Sequence, residues 1–251
     1  MKRRMIAVLC AATAVCLGAD PAAPARMGWV TTIQTGLAET FQLTLGGLFG
    51  PGPAWQNKLE TGLANVWQGG DYLFVLASDS KDLRNGHDNW LAGIGYRRPV
   101  WSRGRQHLSF TGGFQHWKFR GVKNGTNDWL SHENLTYKFA WKLPVTVTSD
   151  SWSLFQSPLA KGSLLHTQAW LEHRIARTES PRIVLRHGPA QTYAWGLYGT
   201  HGNRVMRYQS MVILAWKGTR LEGGLRKQWG MQPNIPDNTY WHFGVTRTVS
   251  K

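Results

Sequence analysis

The sequence LTYKFAWKL, residues 135–143, decides the fold class. Its odd-numbered positions are Leu, Tyr, Phe, Trp and Leu, whereas its even-numbered positions are Thr, Lys, Ala and Lys. A period of two is that of a β-strand with one apolar and one polar face. The apolar face is rich in aromatic residues and unbroken over a length close to what a tilted strand needs to cross a bilayer. The run therefore predicts a transmembrane β-strand, provided that the pattern repeats along the chain.

The first 25 residues have the pattern of a secretory signal peptide. Basic residues at 2–4 precede the apolar run 5–17, and small residues follow as far as Ala25. Cleavage after Ala25 is predicted, with cleavage after Ala19 as the alternative. Both cysteines lie within this segment. The mature domain, residues 26–251, is therefore predicted to have no disulfide, no thiol chemistry and no Cys-ligated metal.

Composition narrows the class further. All 14 Trp follow the signal segment, yet the mean hydropathy of the chain is slightly polar, at −0.35. This combination is expected when half of the strand residues face water and aromatic residues line the membrane interfaces. The formal net charge of +15 indicates anionic partners. Export leaves lipopolysaccharide phosphates or small acidic solutes as these partners and argues against nucleic acid. No cofactor or metal is expected, because neither a zinc spacing of histidines nor a phosphate-binding glycine loop is present.

Three tight turns predict the strand registers. Asn124-Gly125 is the preferred sequence of a type I′ hairpin, and Gly69-Gly70 and Lys217-Gly218 have similar turn character. With each turn taken as a hairpin centre, the apolar faces of the two flanking strands coincide, which a one-residue slip would prevent. The predicted opposite pairs include Phe110–Phe139, Leu63–Leu76 and Leu214–Leu221.

The hairpins and six further strand-like runs give twelve segments. The further runs are residues 37–48, 90–97, 165–175, 182–187, 193–198 and 240–248. We predict an all-β fold, a closed antiparallel up-and-down transmembrane β-barrel of about twelve strands. Ten strands is the alternative count, because residues 148–163 form a long segment that the twelve-strand count places at the periplasmic end, where short turns are expected. Gly188-Pro189 is interpreted as a turn. With both termini periplasmic, turns 69–70 and 217–218 fall at that end, and segments 78–88, 120–128 and 230–238 fall at the external end.

If the aromatic faces contact lipid, the alternate residues face a lumen. Phe110, Tyr137, Phe139, Trp141, Leu214 and Phe243 are predicted on the lipid face. The predicted inward residues include nine basic and three acidic side chains. They are Lys58, Arg97, Lys138, Lys142, Arg174, Arg182, Arg186, Arg207 and Arg226, with Glu60, Glu172 and Glu222. Because unpaired buried charge is costly, the surplus indicates a water-filled lumen that favours anions. The alternative is a solid barrel closed by salt bridges.

Over essentially the whole mature chain the pattern resembles bacterial outer-membrane β-barrels. In size, strand count and lumen charge it is similar to the small twelve-stranded porins for acidic oligosaccharides. The resemblance implies a place in the cell outer membrane, contact with its lipids and lipopolysaccharide, and insertion by the barrel-assembly machinery. The C-terminal strand 241–246 fits this class, although the chain continues to Lys251 and does not end on an aromatic residue.

The function predicted is a small channel for anionic solutes in preference to an enzyme. The first alternative is an outer-leaflet lipid hydrolase of the phospholipase or lipid A deacylase type. It would use His116, which the hairpin centred on Asn124-Gly125 places opposite Glu133, with Ser131 two residues away, because a histidine beside a carboxylate and a serine suits nucleophilic catalysis. Further alternatives are a closed structural or binding barrel, and a soluble Trp-rich carbohydrate-binding sandwich.

Overall fold

The protein is a closed antiparallel barrel of twelve long strands, which confirms the predicted fold class. This computed structural model describes residues 26–39, 41–42, 48–50, 52–67, 69–120, 127–140, 144–156, 162–175, 181–196, 200–233 and 235–250. The barrel strands are β1 (Gly28–Ala38), β4 (Ala54–Ala64), β5 (Tyr72–Asp82), β6 (Asp88–Arg103), β7 (Gln106–Arg120), β8 (Asn127–Ala140), β9 (Pro144–Gln156), β10 (Gly162–Arg174), β11 (Arg182–Trp195), β12 (His201–Trp216), β13 (Thr219–Gly230) and β14 (Asn238–Ser250). Two short strands, β2 (Phe41–Gln42) and β3 (Leu48–Gly50), pair with each other outside the barrel. Among the described residues, no helix could cross a membrane.

Each barrel strand pairs with its neighbours in sequence, and β1 closes the sheet against β14. This last pairing runs from Val30 opposite Ser250 to Ala38 opposite His242. Because opposite residues in an antiparallel ladder share a face, the alternation of buried and exposed residues continues from strand to strand. In β5, for example, residues 72, 74, 76, 78, 80 and 82 are buried, and the residues between them are more exposed. One face of every strand therefore points into the barrel.

The outer face carries exposed apolar side chains with tryptophans near both ends. Phe110, Tyr137, Phe139, Leu214 and Phe243 lie on this face as predicted, and Trp141 lies outside the described residues. The end of the barrel at which the chain starts and finishes is called here the terminal end, and the opposite one the loop end. Trp29, Trp67, Trp101 and Trp216 lie near the terminal end, and Trp55, Trp90, Trp129, Trp195, Trp229 and Trp241 near the loop end. Two aromatic belts around an apolar band are typical of transmembrane barrels.

The hairpin at Lys217-Gly218 has the predicted register. Leu214 lies opposite Leu221, and Trp216 opposite Thr219. Both turn residues have positive φ, 44° at Lys217 and 74° at Gly218, which is the requirement of a type I′ turn.

The register predicted from Asn124-Gly125 is wrong by four residues. Phe110 lies opposite Leu135 instead of Phe139, and Phe114 opposite Ser131. The two turn residues themselves lie outside the described part of the chain. Because a shift of four is even, every side chain of β7 and β8 keeps its predicted face.

The register predicted from Gly69-Gly70 is also wrong, because this connection is not a two-residue turn. Leu63 lies opposite Leu73 instead of Leu76, and the ladder ends at Ala64 and Tyr72. The carboxylate of Asp71 holds the longer loop by accepting hydrogen bonds from the backbone N–H groups of residues 66 (2.7 Å) and 67 (3.0 Å). The register shift is odd, so Tyr72 and its alternate neighbours point into the barrel and not outward.

Strand assignment between residues 37 and 198 contains three further errors. The first barrel strand is Gly28–Ala38 and not 37–48. Residues 148–163, which had no assigned strand, contain most of β9 and the start of β10. Gly188-Pro189 is not a turn, because both residues lie within β11 opposite Gln209 and Tyr208.

The ladder between β10 and β11 explains how proline fits inside a strand. It skips residues 169–170 on β10 and 188–189 on β11 without changing register, so the missing N–H of Pro189 is not needed there. Gly188 permits a close approach of the two backbones, since a Cβ at this position would lie 2.0 Å from the carbonyl oxygen of Ala169.

The connections divide into two groups. The strand ends that flank residues 65–71, 104–105, 141–143, 175–181 and 217–218 are at the terminal end. The strand ends that flank residues 39–53, 83–87, 121–126, 157–161, 196–200 and 231–237 are at the loop end. The turns predicted as periplasmic and the segments predicted as external therefore lie at opposite ends of the barrel.

Candidate functional site: the barrel lumen

The inward face carries the basic residues that the period-two pattern of the sequence predicts there. All eight of the predicted residues that the structure describes lie on this face, and Lys142 lies outside the described residues. Arg220 adds a ninth described cation, opposite the inward Thr246. Among the described residues, six carboxylates alternate inward: Glu60, Asp82, Asp128, Asp150, Glu172 and Glu222. The nine cations and six carboxylates that alternate inward in the described strands leave a surplus of three positive charges.

Three of the carboxylates form ion pairs along the wall. Glu60 contacts the Lys58 ammonium at 3.1 Å and the Arg97 guanidinium at 3.5 Å. The Glu172 carboxylate lies 3.4 Å from Nε of Arg186 across β10 and β11. The Glu222 carboxylate pairs with the Arg220 guanidinium within β13. Each partner is at most 35% exposed, so the partners compensate each other in a largely buried setting.

A fourth carboxylate, Asp82, is used for structure at the loop end. It is fully buried and accepts backbone N–H groups from residues 52, 84 and 85 at 2.8–3.2 Å. Its charge is therefore stabilised by the backbone N–H groups of two loops, and it contributes little to the electrostatics in the middle of the lumen.

Aromatic side chains also face inward and hold two of the arginines. The Arg97 guanidinium lies 5.6 Å from the ring centre of Tyr72 and 5.2 Å from that of Phe74. The Arg186 guanidinium lies 4.3 Å from the ring centre of Trp170. These distances are those of cation–π contacts, which orient a guanidinium without removing its charge.

A continuous hydrogen-bond network crosses β7, β8 and β9 on the inward face. The Gln115 amide donates to Nδ1 of His132 at 3.1 Å, and Nε2 of His132 lies 3.0 Å from Oδ1 of Asp150. Asn134 donates to the same carboxylate oxygen at 2.8 Å. The His132 ring stacks on Trp152 with ring centres 5.0 Å apart. Since both ring nitrogens of His132 are engaged, this histidine holds the wall together and is not a free base.

Apolar side chains, most of them large, fill the lumen on one side, towards the loop end. We call this set the packed side; each member is at most 3% exposed. Its residues lie on β7 to β12 and are Trp117, Leu130, Trp152, Leu164, Ala194 and Val205. The barrel is therefore not a uniform tube, because this part of its interior is a solid core.

Sequence reasoning missed several inward polar residues: Arg220, His132, Asp150, His166 and His242. The alternation around Glu222 and Arg226 already places Arg220 inside. Asp150 was missed because β9 was not recognised. The two remaining histidines, His166 and His242, have the same parity as inward neighbours on β10 and β14, but nothing in their local sequence marks them.

The predicted catalytic cluster does not assemble. His116 lies opposite Trp129 and not Glu133, whose own partner on β7 is Gly112. The His116 ring is 4.6 Å from the ring centre of Trp129, so it belongs to the aromatic belt of the outer face. Ser131 lies opposite Phe114 on the same face. Within the described ranges, no group of three His, Cys, Asp or Glu residues could hold a metal ion.

No protein-family description and no curated protein sequence matches the chain. Solved structures do match. LpxR from Salmonella typhimurium has a TM-score of 0.56 at 9% identity, covering 86% of this chain and 99% of that one. The β domain of the Bordetella autotransporter Brka has a TM-score of 0.53 at 12% identity, covering 88% and 98%. The KdgM porin, solved with disordered oligogalacturonate, has a TM-score of 0.52 at 9% identity, covering 87% and 98%. The chain therefore has the fold of an outer-membrane β-barrel, confirming the resemblance in its sequence pattern.

Proposed function

We propose that this protein is an outer-membrane channel that favours anionic solutes. The observation that carries the proposal is the surplus of cations over carboxylates on the inward face. Because a net charge of one sign is costly in a dry interior, a surplus of three among the described inward residues is best accommodated by water in the lumen. A lumen lined by Arg and Lys concentrates anions and repels cations.

The distribution of the cations supports passage along the barrel. Lys58, Arg97, Arg207 and Arg226 come from β4, β6, β12 and β13, so positive charge lines several parts of the wall. Arg207 lies opposite Gln228 and Arg226 lies opposite Gln209, so the two arginines are diagonal neighbours on the inward face of β12 and β13. The apolar outer face with its two tryptophan belts supports insertion in a bilayer.

A lipid hydrolase is not favoured by the same structure. The similarity to LpxR is one of fold alone at 9% identity. His116, Ser131 and Glu133 all lie on the outer face but not in the arrangement that nucleophilic catalysis needs.

The test is conductance in planar bilayers under a potassium chloride gradient. We expect discrete conductance with chloride favoured over potassium. Conversion of Arg97, Lys138, Arg174, Arg207 or Arg226 to Gln, two or three at a time, should weaken this preference, most clearly at low salt where screening is weakest.

Lys227→Gln is the matched control. It removes one positive charge from β13 beside Arg226, but on the outer face. Its chloride preference should equal that of the unmodified protein. Absence of conductance, or a chloride preference that falls equally with Lys227→Gln, would contradict the proposal.

A further inference from the structure

A cavity opens in the lumen on the wall formed by β1, β4, β13 and β14. We call it the hollow. Its wall contains the inward Gly36 and Gly244, which lie opposite each other on β1 and β14, and the small residue Ala38. A Cβ at Gly244 would lie 3.3 Å from Cγ of Glu222, so a larger side chain here would project into this space. The polar residues that line it are Gln34, Gln56, Asn57, Lys58, Ser78, Glu222, Arg226 and His242.

The imidazole of His242 is the unusual group in the hollow. The residue is 8% exposed, and neither ring nitrogen has a hydrogen-bond partner among the described residues. A neutral imidazole offers one N–H donor and one bare nitrogen acceptor. Leaving both unsatisfied in a buried position is costly, so the ring is suited to a ligand that can accept one hydrogen bond and donate another.

The lining of the hollow carries a net positive charge. Its cations are Lys58 and Arg226, and its carboxylate, Glu222, pairs with Arg220. The described lining residues therefore have a surplus of one positive charge. Nε of Arg226 is buried without a hydrogen-bond partner in the described part of the chain. A ligand group that meets Arg226 should therefore be an anion.

We propose that the hollow binds a hydroxycarboxylate of the sugar-acid type. The carboxylate would pair with Arg226 and Lys58, and a hydroxyl group would donate to the bare nitrogen of His242. Gln34, Gln56 and Ser78 supply neutral donors and acceptors, which suit several hydroxyl groups better than they suit a compact inorganic anion. The inference rests on the proposed function in one respect, because solutes must be able to reach the lumen.

The experiment is titration calorimetry on the detergent-solubilised protein with four probes. These are glucuronate, glucose, acetate and inorganic phosphate. Glucuronate should bind at least about tenfold more tightly than each of the others, because only it offers a carboxylate together with ring hydroxyls. Equal binding of phosphate would overturn the sugar-acid assignment in favour of a general anion site. Equal binding of glucose would overturn the role of the carboxylate.

Variants test the residues. Arg226→Gln should weaken glucuronate binding by roughly tenfold or more, and His242→Phe, which keeps a ring in place, should weaken it by a similar factor. Lys227→Gln should leave binding unchanged, since this side chain points outward from the same strand. Circular dichroism and heat-dependent gel mobility would establish that each variant is folded. Unchanged binding in folded Arg226→Gln and His242→Phe would refute the site.

Failure of this inference is distinguishable from failure of the proposed function. Chloride-selective conductance without glucuronate binding would show that the hollow is not a binding site, and it would still support the channel. Glucuronate binding without conductance would show that the barrel is not a channel, and the hollow would then be the binding site of a barrel open at one end.

Discussion

The packed side and the hollow occupy the same barrel and obey the same alternation, yet one is solid and the other is open. On the packed side the inward positions carry residues such as Trp117, Leu130 and Trp152, none more than 3% exposed. Around the hollow they carry Gly36, Gly244 and polar side chains. The period of two decides which residues face inward. The volume of the inward residues then decides whether solute has room, and it varies around the circumference.

The largest expected effect is on the packed side. Trp152→Ala should destabilise the barrel by about 3–5 kcal/mol, because the ring is 3% exposed and stacks on His132. The matched truncation Gln56→Ala, beside the hollow, should cost about 0–1 kcal/mol, since no buried apolar contact is removed there. Urea unfolding in detergent, followed by circular dichroism, measures both. Equal losses would mean that the two sides do not differ in packing.

An intermediate effect is expected when the hollow is filled. Gly244→Leu should lower conductance and abolish glucuronate binding, with a stability cost of about 1–3 kcal/mol from overpacking against Glu222. Gly223→Leu is the control, because Gly223 lies opposite the outward Phe243 and a leucine there would face lipid. Conductance measured in parallel should fall only in the first variant. A normal conductance in Gly244→Leu would show that solute passes elsewhere.

The smallest effect is expected on the outer face, which contributes neither to the packed side nor to the hollow. His116→Ala, Ser131→Ala and Glu133→Gln should each change the free energy of unfolding by about 0–1 kcal/mol and leave membrane lipid composition unchanged. Mass spectrometry of extracted lipids and unfolding curves check this. If purified protein cleaved phospholipid or lipid A and lost this activity in any of the three variants, the outer face would be the functional surface instead.

The fold was predictable because alternation repeats in almost every strand, and a closed barrel satisfies all the backbone hydrogen bonds. The strand count of twelve was reached through two errors that cancel. β9 was missed, since its outward positions include Ser149, Ser151 and Ser153 and its two faces look alike. β11 was divided in two, since Gly188-Pro189 has turn chemistry that the interrupted ladder to β10 overrides.

The lumen was predictable only in part. The inward cations follow from strand parity. The faces predicted for β7 and β8 are correct because the register error at 124–125 is an even number of residues. The faces predicted for β5 are wrong because the register error at 69–70 is odd, since Asp71 holds a longer loop there. The hollow could not be predicted, because its residues come from strands distant in sequence and their relative heights depend on the registers.

The pairing of β1 with β14 has a consequence for assembly. The hollow lies across this seam, with Gln34 and Lys58 from the start of the domain and Arg226 and His242 from its end. Contacts between residues about two hundred positions apart form late in folding, because the intervening chain must be ordered first. The hollow therefore exists only once the last strand has joined the first. A ligand that binds there stabilises the closed barrel over every open intermediate, so its occupancy would report that insertion is complete.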